Sequence, residues 1–172
     1  MTERNGVPAA ATAGLFVAWA AHDAEEWFMI GPWAREHGLP VSDGLARTAI
    51  GVMGVVVGAA AVDGVRTGGR SATYQAALLA YGLHGFTHVA VSLAVRGYSP
   101  GVATVPVAVL PFWFWVSHRL GDAGVRRSSR TLLPRAAAVL AGSMATAYGT
   151  AALLTACVPV RSRIARARQV RA

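Results

Sequence analysis

Two short runs of ionisable residues lie inside apolar stretches of the sequence. They are HDAEE at residues 22–26 and HGFTH at residues 84–88. Ionisable side chains within a membrane span are costly, and they usually face the interior of a helix bundle or a cavity. Histidine and carboxylate groups also perform acid–base chemistry and bind borderline divalent metals. The two runs are therefore the first candidates for a functional site.

Helical spacing groups the side chains within the first run. His22, Glu25 and Glu26 stand at i, i+3 and i+4, which places them on one helical face. Asp23 is turned about 100° away from that face. We therefore expect the histidine and the two glutamates to act together.

The second run shows similar spacing, since His84 and His88 stand at i and i+4 and Tyr81 falls on the same face. If the two helices run in the same direction with centres near Trp19 and His84, a rise of about 1.5 Å per residue brings both runs to overlapping depths. The runs can then form one site if their helices are neighbours. We expect Trp19 and Tyr81 to line a cavity beside it.

The combined set has the composition of a metal site. We expect His22, His84, His88 and Glu26 to hold one divalent metal, zinc or iron. Catalysis would depend on His22, Glu25 and Glu26, with the glutamate that does not bind the metal acting as general base or acid. One alternative is metal-free and keeps a glutamate protonated beside a histidine. Another alternative is structural, in which the three histidines and two glutamates of the two runs form only a hydrogen-bonded network between helices.

The rest of the sequence indicates that membrane helices position these residues. Hydrophobic residues make up 54% and charged residues 14% of the chain, and the mean hydropathy is +0.43. Soluble domains have about 25% charged residues. Five apolar segments follow one another, at residues 7–30, 45–62, 72–95, 102–116 and 133–160. We predict an all-α integral membrane bundle of about five transmembrane helices, forming one domain over residues 1–172 with a basic tail at about 161–172.

Small residues and prolines predict how these segments pack. Gly51, Gly54 and Gly58 in the second segment suit a close contact between helices. Pro106 and Pro111 predict a kinked or broken fourth segment. We expect the fourth segment to be the one that does not span the membrane fully.

The charge pattern favours a membrane over a nucleic acid as the partner. The 16 basic residues exceed the 8 acidic ones, and they lie between apolar blocks and in the tail, as residues that set topology and contact anionic lipid do. We expect no nucleic-acid binding. Cys157 is the only cysteine, so neither an intramolecular disulfide nor a C-x-x-C metal site can form. The prediction is a multi-pass protein of the cell membrane that contacts lipid, with a homo-oligomer left open.

The motifs resemble those of a known family. The H-x-x-E-E pattern at residues 22–26 is followed by a further histidine, His84 or His88, and then by Y-x-P-G at residues 98–101. In that order, they resemble the HXXEE family of small bacterial membrane proteins. The resemblance implies that Tyr98, Pro100 and Gly101 belong to the defining residues, and we expect this turn to cap the cavity. It implies no particular reaction.

Our leading hypothesis is a membrane enzyme that uses a metal to act on a lipid-soluble small molecule, by hydrolysis or oxidation. One alternative is a metal-free isomerase or terpenoid cyclase in which a glutamate donates a proton. Further alternatives are a proton- or metal-coupled carrier and an accessory subunit that only binds a partner.

Overall fold

A computed structural model describes the backbone of residues 7–169 and the side chains of residues 7–155. Within this part of the chain there are no strands, so the predicted all-α class is confirmed. The order is five α-helices with one π-helical segment, namely α1 (Ala9–Glu36), α2 (Asp43–Thr67), α3 (Ala72–Val95), the π segment (Val105–Val109), α4 (Leu110–Asp122) and α5 (Ser129–Gln169). The side chain of Cys157 and those of the predicted basic tail lie outside the described residues.

Local sequence signals explain where α2 and α3 begin and end. Ser42 caps α2 by accepting a hydrogen bond from the Leu45 N–H, and Ser71 caps α3 by accepting from the Thr73 and Tyr74 N–H groups. Such caps satisfy backbone donors that the first helical turn leaves free. Gly68 ends α2 in the left-handed conformation, at φ +59°, which glycine adopts without steric cost.

The helices form a bundle in which α1 packs on α2, while α2 and α3 both pack on α5. The π segment lies between α1 and α3. Two glycines permit close approach, because a Cβ at Gly54 would lie 2.9 Å from the Trp19 ring and one at Gly85 would lie 2.9 Å from Val109. Gly54 therefore makes the predicted close contact, whereas Gly51 faces open space and makes none.

The fourth predicted segment is not one regular helix. Residues 100–104 form turns, the π segment follows, and α4 contains only 13 residues. Pro106 lies near the start of the π segment and Pro111 near the start of α4, and proline lacks the N–H that a regular helix needs. At about 1.5 Å per residue, α4 is about 20 Å long, shorter than the hydrocarbon core of a bilayer.

Among residues 7–155, three helices are long and apolar enough to cross a membrane: α2, α3 and the Ser129–Thr155 part of α5. Only 22%, 39% and 11% of their respective most apolar stretches are buried in the protein, so most of that apolar surface faces outward. The α1 helix has 28 residues but contains Asp23, Glu25 and Glu26 in its middle. Large apolar side chains also cover its outer surface, including Val17 and Phe28, which are 67% and 66% exposed.

Candidate metal centre

Four side-chain atoms from two helices converge at the centre of the bundle. They are the Nε2 atoms of His22, His84 and His88 and the Oε1 atom of Glu26. His22 and Glu26 are one helical turn apart on α1, and His84 and His88 are one turn apart on α3, so each helix contributes a pair from one face. All four atoms lie within 4.8 Å of one another.

Five of the six distances within this cluster lie within about 0.6 Å of the edge of a metal-coordination tetrahedron. The Nε2 atom of His88 lies 3.2 Å from that of His22, 2.9 Å from that of His84, and 3.2 Å from the Glu26 carboxylate. The other two histidines lie 3.9 Å from the same carboxylate oxygen. With ligands at about 2.0–2.1 Å from a zinc ion, the edges of a regular tetrahedron are about 3.3 Å long. The residues present therefore fit a divalent metal without large rearrangement.

The cluster is shielded from solvent. The side chain of His22 is 0% exposed, and those of Glu26, His88 and His84 are 11%, 12% and 18% exposed. Metal ligands bind more strongly where water does not compete. The remaining two histidines of the chain, His37 and His118, lie outside the cluster. The His37 ring stacks on Trp33, and His118 pairs with Asp122 at an exposed position of α4.

Glu25 turns away from the cluster and binds the loop after α3. Its carboxylate accepts hydrogen bonds from the Tyr98 hydroxyl at 2.6 Å, from the Ala103 N–H at 3.3 Å, and from both the N–H and the hydroxyl of Thr104 at 2.9 and 2.7 Å. Desolvation, together with its hydrogen bond to Glu25, raises the pKa of Tyr98, so its hydroxyl remains a donor at neutral pH. Of the two glutamates, only Glu26 joins the histidines.

Thr104 connects Glu25 to the cluster. Its Oγ1 atom lies 2.8 Å from His22 Nδ1 and 2.7 Å from Glu25 Oε2. Since the Thr104 hydroxyl gives its hydrogen to the carboxylate, its oxygen accepts the hydrogen of His22 Nδ1. Nε2 of His22 then carries a lone pair that faces the cluster. Partners of this kind orient metal-binding histidines and fix their tautomer.

The Tyr98–Gly101 turn lies directly against the cluster. Gly101 has a φ of +88°, and a Cβ there would lie 2.8 Å from the His22 ring and 2.7 Å from the His88 ring. The Ser99 hydroxyl donates a hydrogen bond to the His88 carbonyl at 3.1 Å. The turn therefore covers the cluster, but none of its four residues lines the cavity beside it, so the expected cap over that cavity stays a prediction.

A cavity opens beside the cluster between α1, α2, α3 and α5. The space that the centre of a water-sized sphere can reach is about 80 Å³, room for several waters. Trp19 and Tyr81 line it, as predicted, together with Glu26 and His84 of the cluster. The Tyr81 ring also meets the His22 ring edge-on, with centroids 6.3 Å apart.

Sequence reasoning missed two residues of this region. Asp23 is buried, 5% exposed, and lines the cavity beside Glu26, although its spacing directs it away from the face of the other three. The turn of about 100° from His22 to Asp23 directs the Asp23 side chain toward α2 and the cavity rather than toward solvent. Thr104 has no spacing relation to either run, and its only sequence signal is its position three residues after the Y-x-P-G turn.

Comparison with known proteins agrees with the motifs. A family model described as "Protein of unknown function with HXXEE motif" matches residues 13–116, which include both runs and the Tyr98–Gly101 turn. No curated protein and no solved structure showed significant similarity. The match covers more than half of the chain, and the resemblance noted in the sequence is confirmed. The chain therefore belongs to the HXXEE family, whose function is unknown.

Proposed function

We propose that this chain is a multi-pass enzyme of the cell membrane that holds a divalent metal and acts on a lipid-soluble small molecule. The observation that carries the proposal is the convergence of three imidazole nitrogens and one carboxylate oxygen at tetrahedral spacing. The adjacent cavity supports a small-molecule substrate, since its lining is mostly apolar with a few polar groups.

Charge balance also supports a divalent cation. Three neutral imidazoles and the Glu26 carboxylate carry one negative charge, and Asp23, buried beside them, is able to supply a second. Buried carboxyl groups that have no cation nearby take up protons instead of staying ionised, so a divalent ion is the partner that would keep both ionised. Glu25 needs no such ion because four donors already satisfy it.

The number of protein ligands links the identity of the metal to the type of reaction. Four protein ligands complete the tetrahedral shell of zinc, so Glu26 would have to leave zinc before it could act as a general base in hydrolysis. Iron held by the same four residues would supply redox chemistry to a bound substrate and oxidant. The metal would supply Lewis-acid or redox chemistry, and metal identity thus separates the hydrolytic version of the proposal from the oxidative one.

The surrounding residues would position the ligands and exclude water. His22 is oriented by Thr104, and His88 is held against the Tyr98–Gly101 turn. Glu25 is bound to that turn, which favours a positioning role for it, while its action as a general acid or base remains a prediction. The cavity side of Glu26 and His84 is where a substrate would approach.

A membrane location explains why apolar side chains cover the outside of the bundle. We include α1 among the spans, because Asp23 and Glu26 face the interior and Val17 and Phe28 face outward toward lipid. The π segment and α4 would enter the bilayer without crossing it as one regular helix, which is tolerated where the backbone is buried in protein.

Elemental analysis of the detergent-purified protein tests the metal directly. We expect about one zinc or iron per chain, and a loss of most of it in His88→Ala. The matched control is His118→Ala, which removes a histidine that lies outside the cluster and should leave the metal content unchanged. No metal in the wild type, even after reconstitution with zinc and iron, would contradict the proposal and favour the metal-free acid–base alternative.

A further inference from the structure

The cavity beside the cluster has one polar end and one apolar body. The polar groups are Asp23, Glu26, Tyr81 and His84, joined by Ser143 and Tyr148 of α5. The apolar body is formed by side chains of α1, α2 and α5, among them Leu15, Ile50, Met53, Leu140 and Met144. Such a cavity fits an amphiphile better than a uniformly apolar molecule.

Two groups at the polar end lack partners in the described part of the chain. Asp23 is 5% exposed, and no hydrogen bond reaches its carboxyl group. Tyr81 is 7% exposed, and its hydroxyl has no hydrogen-bond partner. Leaving a buried polar group unpaired costs about 1–3 kcal/mol. A ligand that bonded to both groups would recover this energy at Tyr81, whose hydroxyl is fully buried.

We propose that this cavity binds the hydroxyl head of a long-chain alcohol. An alcohol oxygen can accept the hydrogen of the Tyr81 hydroxyl while its own hydrogen is donated to an oxygen of the Asp23 carboxyl group. An alkane would satisfy neither group, and a carboxylate head has no hydrogen to donate to Asp23. An ammonium head could donate to Asp23 but offers no acceptor to Tyr81.

This assignment places the head group next to the metal ligands. Glu26 and His84 line the same end of the cavity as Asp23 and Tyr81, so the carbon that bears the hydroxyl would lie near the cluster. The inference rests on the proposed function only in treating the cavity as the substrate site, and it names that substrate as a molecule with an apolar chain and a terminal hydroxyl.

Competitive photolabelling in native membranes tests the head group. The probe is a long-chain alcohol with a diazirine on its chain, and mass spectrometry maps its attachment to the chain. We expect labelling of cavity residues of α1, α2 and α5 that decanol suppresses and that decane and decanoate suppress much less. Equal competition by decane and decanol would overturn the assignment, and so would better competition by decylamine than by decanol.

Two variants test the named groups. Tyr81→Phe and Asp23→Ala should each raise the decanol concentration needed for half-suppression by about fivefold, as expected for one lost hydrogen bond. The matched control is Tyr74→Phe, because Tyr74 lies on the same helix and also has an unpartnered buried hydroxyl but does not line the cavity. No change in Tyr81→Phe, or an equal change in Tyr74→Phe, would contradict the assignment.

The metal proposal and the alcohol-site proposal can be disproved separately. Suppression by decanol in a protein that contains no metal would retain this assignment and overturn the metal proposal. A stoichiometric metal with no preference for decanol over decane would do the opposite.

Discussion

Thr104 decides which nitrogen of His22 is free to bind a metal. Its hydroxyl donates to Glu25 and its oxygen accepts from His22 Nδ1, so the Nε2 lone pair faces His84, His88 and Glu26. Without this contact the ring could exchange its tautomer and present a hydrogen to the cluster. A residue outside the four-residue cluster therefore controls which ring nitrogen of His22 faces the other three side chains.

Replacing Thr104 should weaken metal binding without unfolding the protein. We expect Thr104→Val, which keeps the shape and removes the hydroxyl, to lower the metal affinity by about 10- to 100-fold. Thr104→Ser restores the hydroxyl and should return most of the affinity. Competition with a chromophoric chelator measures both. Equal affinity in Val and Ser variants would show that the hydroxyl does not orient His22.

The sequence could predict most residues of the cluster but not the loop residues that orient them. The i, i+4 spacing correctly paired His22 with Glu26 and His84 with His88, because these pairs depend only on helix geometry. Spacing could not choose between Glu25 and Glu26, since i+3 and i+4 lie on the same face. The choice is made by Tyr98 and Thr104, which a folded loop brings to Glu25 from more than seventy residues away in sequence.

The turn after α3 is the element on which the cluster depends most. It combines a left-handed Gly101 with close contact to two of the histidine rings. An L side chain at Gly101 would face two separate obstacles: backbone strain of about 1 kcal/mol and overlap with His22 and His88. Gly124 offers a comparison, since its φ is +65° but a Cβ there would have nothing within 4 Å.

We expect Gly101→Ala to reduce metal affinity at least about tenfold, because the two rings must move to admit the methyl group. Gly124→Ala has the same kind of backbone strain and should lower only the melting temperature. Metal affinity and thermal unfolding, measured on both variants in detergent, separate the two effects. If Gly124→Ala lost metal as strongly as Gly101→Ala, general destabilisation would account for both.

Elements with a continuous apolar pattern were predicted closely, whereas for the interrupted fourth segment the break was predicted but its form was not. The third predicted segment coincides with α3, and α1, α2 and α5 extend beyond the predicted ends by several residues. The fourth segment is divided into turns, a π segment and α4. Its two prolines correctly indicated a break, but the form of that break depends on packing between α1 and α3, which periodicity cannot describe.

At the scale of the whole molecule, His22, Asp23 and Glu26 are buried inside the bundle, while large apolar side chains such as those of Val55 and Leu153 are 73% and 70% exposed on its outside. This arrangement determines which face of α1 can contact lipid. The three acidic residues of the HDAEE run face the cavity or the loop after α3, while Val17 is 67% exposed on the outer surface. Val17 lies five residues before His22, about 8 Å along the helix axis. If the cluster is at mid-membrane depth, Val17 faces the lipid acyl chains.

Cysteine labelling measures this depth, and the single natural cysteine makes the experiment simple. In a Cys157→Ser background, Val17→Cys should react at least about tenfold more slowly with a water-soluble maleimide than Leu39→Cys, since a thiol in hydrocarbon rarely ionises. Leu39 is the matched control because it is 45% exposed but lies in the connection between α1 and α2. Rapid labelling of both positions in intact membranes would place the outer face of α1 in water. The HDAEE run would then belong to a helix that lies on the bilayer, and the substrate would have to reach the cluster from the aqueous side.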